Sequence, residues 1–194
     1  MTRRRGQAAL FAVALLSLAV LAYLYAVSAA RVSIVYHGEA EWMVLLATAR
    51  HSLATNTSLD TLMARLKPVA AEQGVWLPPV QWIVYRSTNG SGWAYTALFY
   101  NTSLGWEAYF AASARYTLLG TEYDGLGGLW LVYNLSYVHL YKLPQLAYPV
   151  AIYPEPLNTS CSRVYRAGEG EWLVKLRPPC VVRDKWGIAV LGVP

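Results

Sequence analysis

Residues 75–100 read VWLPPVQWIVYRSTNGSGWAYTALFY, and the reading of this stretch decides the fold. On either side of Ser87-Thr88-Asn89-Gly90-Ser91-Gly92 the apolar residues are β-branched or aromatic and recur at every second position. Trp76–Arg86 and Trp93–Tyr100 therefore read as the two strands of a hairpin, with a loop longer than two residues between them. The period of two continues downstream. Trp106, Ala108, Phe110, Ala112, Ala114, Tyr116 and Leu118 alternate with Glu107, Tyr109, Ser113, Arg115 and Thr117, a strand with one face in a core. Beyond a glycine-rich loop at Glu122–Gly128, Leu129–Tyr141 forms another long strand, with Leu131, Tyr133, Leu135 and Tyr137 on one face and Asn134 and Ser136 on the other. Shorter strands are expected at Ala147–Tyr153, Ser162–Arg166, Trp172–Leu176, Cys180–Arg183 and Gly187–Leu191, with a turn at 167–170. The pattern predicts a mainly antiparallel β domain over residues 75–194, a sandwich or a strongly twisted sheet.

Upstream the period changes. Trp42, Leu45, Leu46, Ala49 and Leu53 share one face of a helix, and Ala54–Thr57 breaks it. Ser58 is the expected N-cap of a second helix carrying Asp60 in its first turn and Leu59, Leu62, Met63 and Leu66 on its apolar face; Pro68 bends or ends it, and Gly74 closes the region. Residues 31–74 are thus expected to form a helical hairpin, or two short helices, ahead of the β domain, with Arg31–Tyr36 either extending a preceding helix or serving as a connector that Gly38 interrupts.

From Ala8 to Ala30 the chain has 23 residues without a charge, a glycine or a proline. As a helix this segment spans about 35 Å, enough for a hydrocarbon core of about 30 Å. Arg3, Arg4 and Arg5 precede it and Arg31 alone follows, which orients it with the N-terminus cytoplasmic. The net charge of +5 is largely this cluster: without it, 13 basic residues face 11 acidic ones, and no cationic tract is left to follow a phosphate backbone. The expected class is α+β: leader 1–6, transmembrane helix 7–30, juxtamembrane helical region 31–74 and extracellular β domain 75–194.

The segment has three possible fates: a plain signal anchor, a secretory signal cut after Ser28-Ala29-Ala30, or a processed assembly helix. The third rests on Arg3-Arg4-Arg5-Gly6-Gln7-Ala8-Ala9-Leu10-Phe11, which resembles the class III signal of archaeal type IV pilin-like proteins. The resemblance covers about the first 30 residues and implies cleavage between Gly6 and Gln7 by a prepilin peptidase. It implies also an apolar helix that stays attached and packs against identical or related subunits. Phe11 departs from the pattern, standing where many pilins carry a glutamate.

All five asparagines, Asn56, Asn89, Asn101, Asn134 and Asn158, open an Asn-X-Ser/Thr triplet with X other than proline. One such triplet is weak evidence; the whole set points to an exported domain carrying N-linked glycans. Cys161 and Cys180, 19 positions apart, are expected to form a disulfide in that compartment.

No zinc, phosphate-loop, dinucleotide or serine-hydrolase motif is present, and neither a metal nor a cofactor is expected. His37, His51 and His139 are scattered and read as structural, and Glu122 with Asp124 as a solvated turn rather than a calcium loop. Trp93, Tyr95, Trp106 and Tyr109 read as cross-strand packing in preference to a sugar platform. The sequence therefore points to a non-enzymatic, glycosylated cell-surface protein with the bilayer and sister subunits as partners. The rival readings are an anchored binding or envelope-complex subunit and, behind it, an anchored hydrolase.

Overall fold

The computed structural model describes residues 40–125 and 128–194. The leader, the apolar segment and residues 31–39, with Gly6, Gln7 and His37, lie outside the described residues; among the described residues no helix is long and apolar enough to cross a membrane. Glu41–Pro194 forms one compact unit, two helices followed by a mainly antiparallel β-sheet domain.

Helix α1 covers residues 40–55 and buries Trp42, Leu45, Leu46 and Ala49, the face the periodicity indicates. It stops at Asn56, whose φ of 52° is left-handed. There the Asn56 N–H donates to Leu53 O (3.5 Å) and the Thr57 N–H to Ser52 O (3.1 Å), which satisfies two carbonyls of the last turn. Helix α2, Leu59–Glu72, follows after Ser58 and buries Leu59, Met63 and Ala70. Pro68 does not end it. The proline removes one N–H from the ladder, yet the helix runs on to Glu72, where Gly74 (φ 70°) adopts the left-handed cap, with the Val75 N–H donating to Ala70 O at 2.8 Å.

The strands are β1 Gln81–Asn89, β2 Gly92–Asn101, β3 Trp106–Tyr123, β4 Leu129–Lys142, β5 Val150–Ile152, β6 Ser162–Gly168, β7 Glu171–Leu176, β8 Cys180–Arg183 and β9 Ala189–Val193. The main sheet has the order β1-β2-β3-β4-β7-β6, with β5 beside the end of β4; β8 and β9 form a separate pair. Several boundaries differ from expectation. β1 begins at Gln81 because Pro78 and Pro79 offer no N–H to a ladder. The first hairpin is tighter than expected: Asn89 pairs with Gly92, leaving Gly90-Ser91 as a two-residue loop. Gly92 serves the β2–β3 pair instead, since a side chain there would meet the Ala114 carbonyl oxygen of β3. β3 runs on to Tyr123, shortening the glycine-rich loop, and β5 keeps only three residues of its expected span. β9 starts at Ala189 because Gly187 (φ 85°) belongs to the turn after β8.

The sheet has one covered face. Tyr95, Ala97 and Phe99 of β2, Ala108, Phe110 and Ala112 of β3 and Tyr141 of β4 pack with Trp42, Leu45, Leu46, Leu59 and Met63 of the helices. Further along, Ala114, Leu135, Tyr137, Trp172, Val174 and Leu176 pack with Val182, Val190 and Leu191 of the β8–β9 hairpin. The helices and this hairpin thus both pack on one face of the main sheet. Leu135 and Tyr137 face the core and Asn134 and Ser136 face solvent, as the alternation requires. On β3 the inward residues are mostly alanines, and large rings oppose them: Phe99 sits across from Ala108, and Tyr95 and His139 flank Ala112 on either side. This alternation of large and small lets two aromatic layers fit under the helices.

Phe110 is fully buried, and its ring centroid lies 6.0 Å from that of Tyr95, 5.3 Å from His139 and 5.2 Å from Tyr141. Phe110→Ala is expected to lower unfolding free energy by about 3–5 kcal/mol, and Ala112→Leu by about 1–3 kcal/mol through overpacking. Denaturant titration of the two variants against the parent chain measures both.

Candidate functional site

The residues the sequence singles out fall into a solvent-facing set and a buried one. Asn56, Asn89, Asn134 and Asn158 are exposed, at the α1–α2 turn, the end of β1, the outer face of β4 and the loop before β6. Each exposed asparagine except Asn134 also shapes its own surroundings. Asn56 Oδ1 accepts from Arg86 Nη1 (2.8 Å), Asn89 Oδ1 from the Ser91 N–H (3.0 Å), and Asn158 Oδ1 from the Val164 N–H (2.6 Å). Asn101 is different. It is only 4% exposed and its Oδ1 accepts the N–H groups of Ser103 (3.0 Å) and Leu104 (3.2 Å), so it serves as the keystone of the β2–β3 turn.

Cys161 and Cys180 form the expected disulfide, with Cα atoms 5.7 Å apart. It ties the start of the edge strand β6 to the start of β8, and so fixes the C-terminal hairpin to the sheet it covers. A loop of this length contributes about 3 kcal/mol by restricting the unfolded chain.

The buried set was not legible as a set. His139, on the core face of β4, meets Asp184, which lies 45 positions later in the turn after β8. Tyr137 joins them: its hydroxyl donates to Asp184 Oδ2 (2.9 Å) and lies 2.6 Å from His139 Nε2. A phenol has one proton, and this one goes to Asp184, so the contact with His139 is an Nε2–H donating to the phenolic oxygen. Asp184 Oδ1 accepts the N–H groups of Trp186 and Ile188, both at 2.9 Å. Trp186 stacks on His139 with centroids 5.2 Å apart, and the Arg50 guanidinium lies 4.6 Å from the Trp186 centroid. His139 and Asp184 side chains are both 0% exposed, and His139 Nδ1 has no hydrogen-bond partner among the described residues. Burial above all, and then the charge of Arg50, push the imidazole down to about 3; burial and the neighbouring carboxylate push the Tyr137 phenol up. A neutral, sealed imidazole is suited to pinning the hairpin and poorly suited to relaying protons to a substrate.

The remaining candidates are apart from one another. Glu122 pairs with Lys175 (2.6 Å), and Asp124 Oδ1 accepts the Gly128 N–H (2.6 Å), so both carboxylates stabilise the loop. Among the described residues no group of three metal-ligating side chains occurs. Trp93 and Tyr95 point inward, Trp93 donating to Val190 O (3.0 Å), whereas Trp106 is half exposed at the start of β3; they share no platform. A groove of about 800 Å³ runs between Met63 and Lys67 of α2, the connector Val75–Val80 and the β2–β3 turn. His51 lies exposed on α1, away from the buried cluster.

No protein-family model, curated protein or solved structure matches the chain.

Two outcomes follow from this geometry. Intact-glycopeptide mass spectrometry of the protein purified from its own cells is expected to find sugar on Asn56, Asn89, Asn134 and Asn158 and none on Asn101, whose burial leaves a glycan no exit. The second concerns pH. Unfolded histidine titrates near 6.5 and folded His139 near 3, so the unfolded chain takes up the proton first. The stability contributed by the neutral form is complete above about pH 6.5 and is lost as pH falls toward 3, at up to about 1.4 kcal/mol per pH unit. His139→Phe keeps an aromatic ring and removes the titration, so denaturation midpoints between pH 4 and 7.5 should slope less in the variant than in the parent.

Proposed function

We propose that this chain is a non-enzymatic, N-glycosylated surface protein, held in the membrane by residues 7–30 and related in design to archaeal type IV pilins. In this reading Glu41–Pro194 lies outside the cell, and the apolar helix packs against sister subunits during assembly. The observation that carries it is the coincidence of a charge-free 23-residue segment behind three arginines with an asparagine set made up wholly of sequons. Two features of the folded unit support it. The cysteines pair, as oxidising surroundings permit, and four of the five sequon asparagines stand in solvent. The one His–carboxylate pair of the described cluster is sealed, which favours a structural over a hydrolytic role.

The groove beside α2 favours a second reading, an anchored binding subunit, because an exposed Trp76 lines it together with Pro78, Pro79 and Tyr100.

Sequencing the N-terminus of the membrane-extracted protein discriminates among these. A mature chain starting at Gln7 is the expected result. A start at Arg31 overturns both the anchor and the assembly role, and an intact Met1 leaves the plain anchor of the second reading.

A further inference from the structure

Besides the short β5, the main sheet ends in two edges, β1 and β6, and the chain treats them differently. The β6 edge is blunted in the ways that keep sheets from pairing with neighbours: it carries Arg163 and Arg166, and its register shifts between Arg166 and Gly168. The loop before it also folds over. The Val164 N–H is taken by Asn158 Oδ1 (2.6 Å), and Arg163 Nη1 donates to Thr159 O (3.0 Å).

The β1 edge has none of these devices. It is nine residues long, contains no proline or register shift, pairs only with β2, and is exposed at every position except the half-buried Trp82. Its single charge, Arg86, is drawn off the edge: the guanidinium lies 5.2 Å from the Tyr95 centroid and donates to Asn56. Ile83, Val84 and Tyr85 at its centre are 40%, 37% and 59% exposed. A strand edge is an array of backbone donors and acceptors, and only another extended backbone satisfies it along its length.

The sequence of β1 indicates which backbone. Antiparallel pairing of two copies about Val84 sets Ile83 opposite Tyr85, Trp82 opposite Arg86 and Gln81 opposite Ser87, each twice by symmetry. Ile83 and Tyr85 then form a β-branched–aromatic pair and Gln81 and Ser87 an amide–hydroxyl pair, while Trp82 and Arg86 keep their bonds within the chain, the indole to Asp60 and the guanidinium to Asn56. We propose that β1 is a homotypic interface, through which two copies of this chain join their sheets antiparallel about a two-fold axis at Val84. This association is separate from any packing of residues 7–30, and either can fail without the other.

Cysteine placement tests it, because the two native cysteines are paired and an introduced thiol is the one free thiol in the chain. Equivalent residues lie opposite one another only at position 84; at 81 or 87 they are displaced by about 20 Å along the strands, far beyond the Cα separation of about 7 Å a disulfide tolerates. The full-length chain in detergent is oxidised with glutathione disulfide and read on non-reducing gels. Val84→Cys is expected to give a covalent dimer. Gln81→Cys alone and Ser87→Cys alone are expected to give none, while a mixture of the two gives the heterodimer. Adding Ile83→Lys and Tyr85→Lys to Val84→Cys sets lysines opposite each other on exposed positions and should cut dimer yield at least tenfold. Absence of a dimer at Val84→Cys overturns the proposal. So does cross-linking of Gln81→Cys or Ser87→Cys alone as efficiently as the mixture, or a yield that the lysines leave unchanged. An apolar-helix oligomer or a different segment seated on β1 produces one of these three results.

Discussion

The β3–β4 ladder is the constraint on which the remaining elements depend. It is the longest pairing in the sheet, Tyr109–Tyr123 against Leu129–Lys142, and its inward face runs beneath both the helices and the β8–β9 hairpin. The alanines at 108, 112 and 114 hold that face low, so that Phe99, Tyr95, Tyr137 and His139 find room across from them. A larger residue at any of the three would lift the helices off the sheet or drive a ring out of its rotamer. The helices add little intrinsic stability at their length; their face over the ladder gives them a place to stay.

A polar cluster joins the two halves of this core. Asp184 holds its own turn through two backbone N–H groups and holds β4 through Tyr137. The Arg50–Trp186–His139 stack then reaches from the hairpin turn to α1. With the disulfide at its other end, the hairpin is fixed at two points, one covalent and one hydrogen-bonded. An apolar replacement would offer comparable burial, but the directional bonds define a single position for the hairpin on the sheet.

Much of this could be read from residue types alone, and the failures have physical causes. The faces of α1, β3 and β4 followed from period, because a slip of one residue would have put Asn134 and Ser136 in the core. The cysteine pair followed from compartment logic. Of the two outcomes open at Pro68, ending the helix is excluded, because loss of one ladder bond is outweighed by the burial of Met63 before it and Ala70 after it. The hairpin loop was misjudged because Ser87 and Thr88 are polar yet lie on an open edge, where polarity carries no penalty. Asn101 looked like its four sequon siblings, since burial of an asparagine depends on a turn that only the folded chain displays. His139 and Asp184 are joined by tertiary structure; the regular spacing of Tyr137, His139 and Tyr141 along the inward face hinted at a buried histidine but not at its carboxylate.

The end of α1 carries a consequence for how a glycan can be removed. Asn56 is both the acceptor of the first sequon and the left-handed residue that terminates the helix. Glutamine, the customary silent replacement, is a poor tenant of that backbone region, so it would delete a sugar and loosen a helix stop in one step. Glycine keeps the stop and loses the sugar. Changing Ser58, the hydroxyl residue of the triplet, leaves the asparagine in place, and its hydroxyl makes no N-cap bond to the helix. The first sequon and the chain reversal thus share one residue, and the substitutions that this position tolerates are set by its backbone.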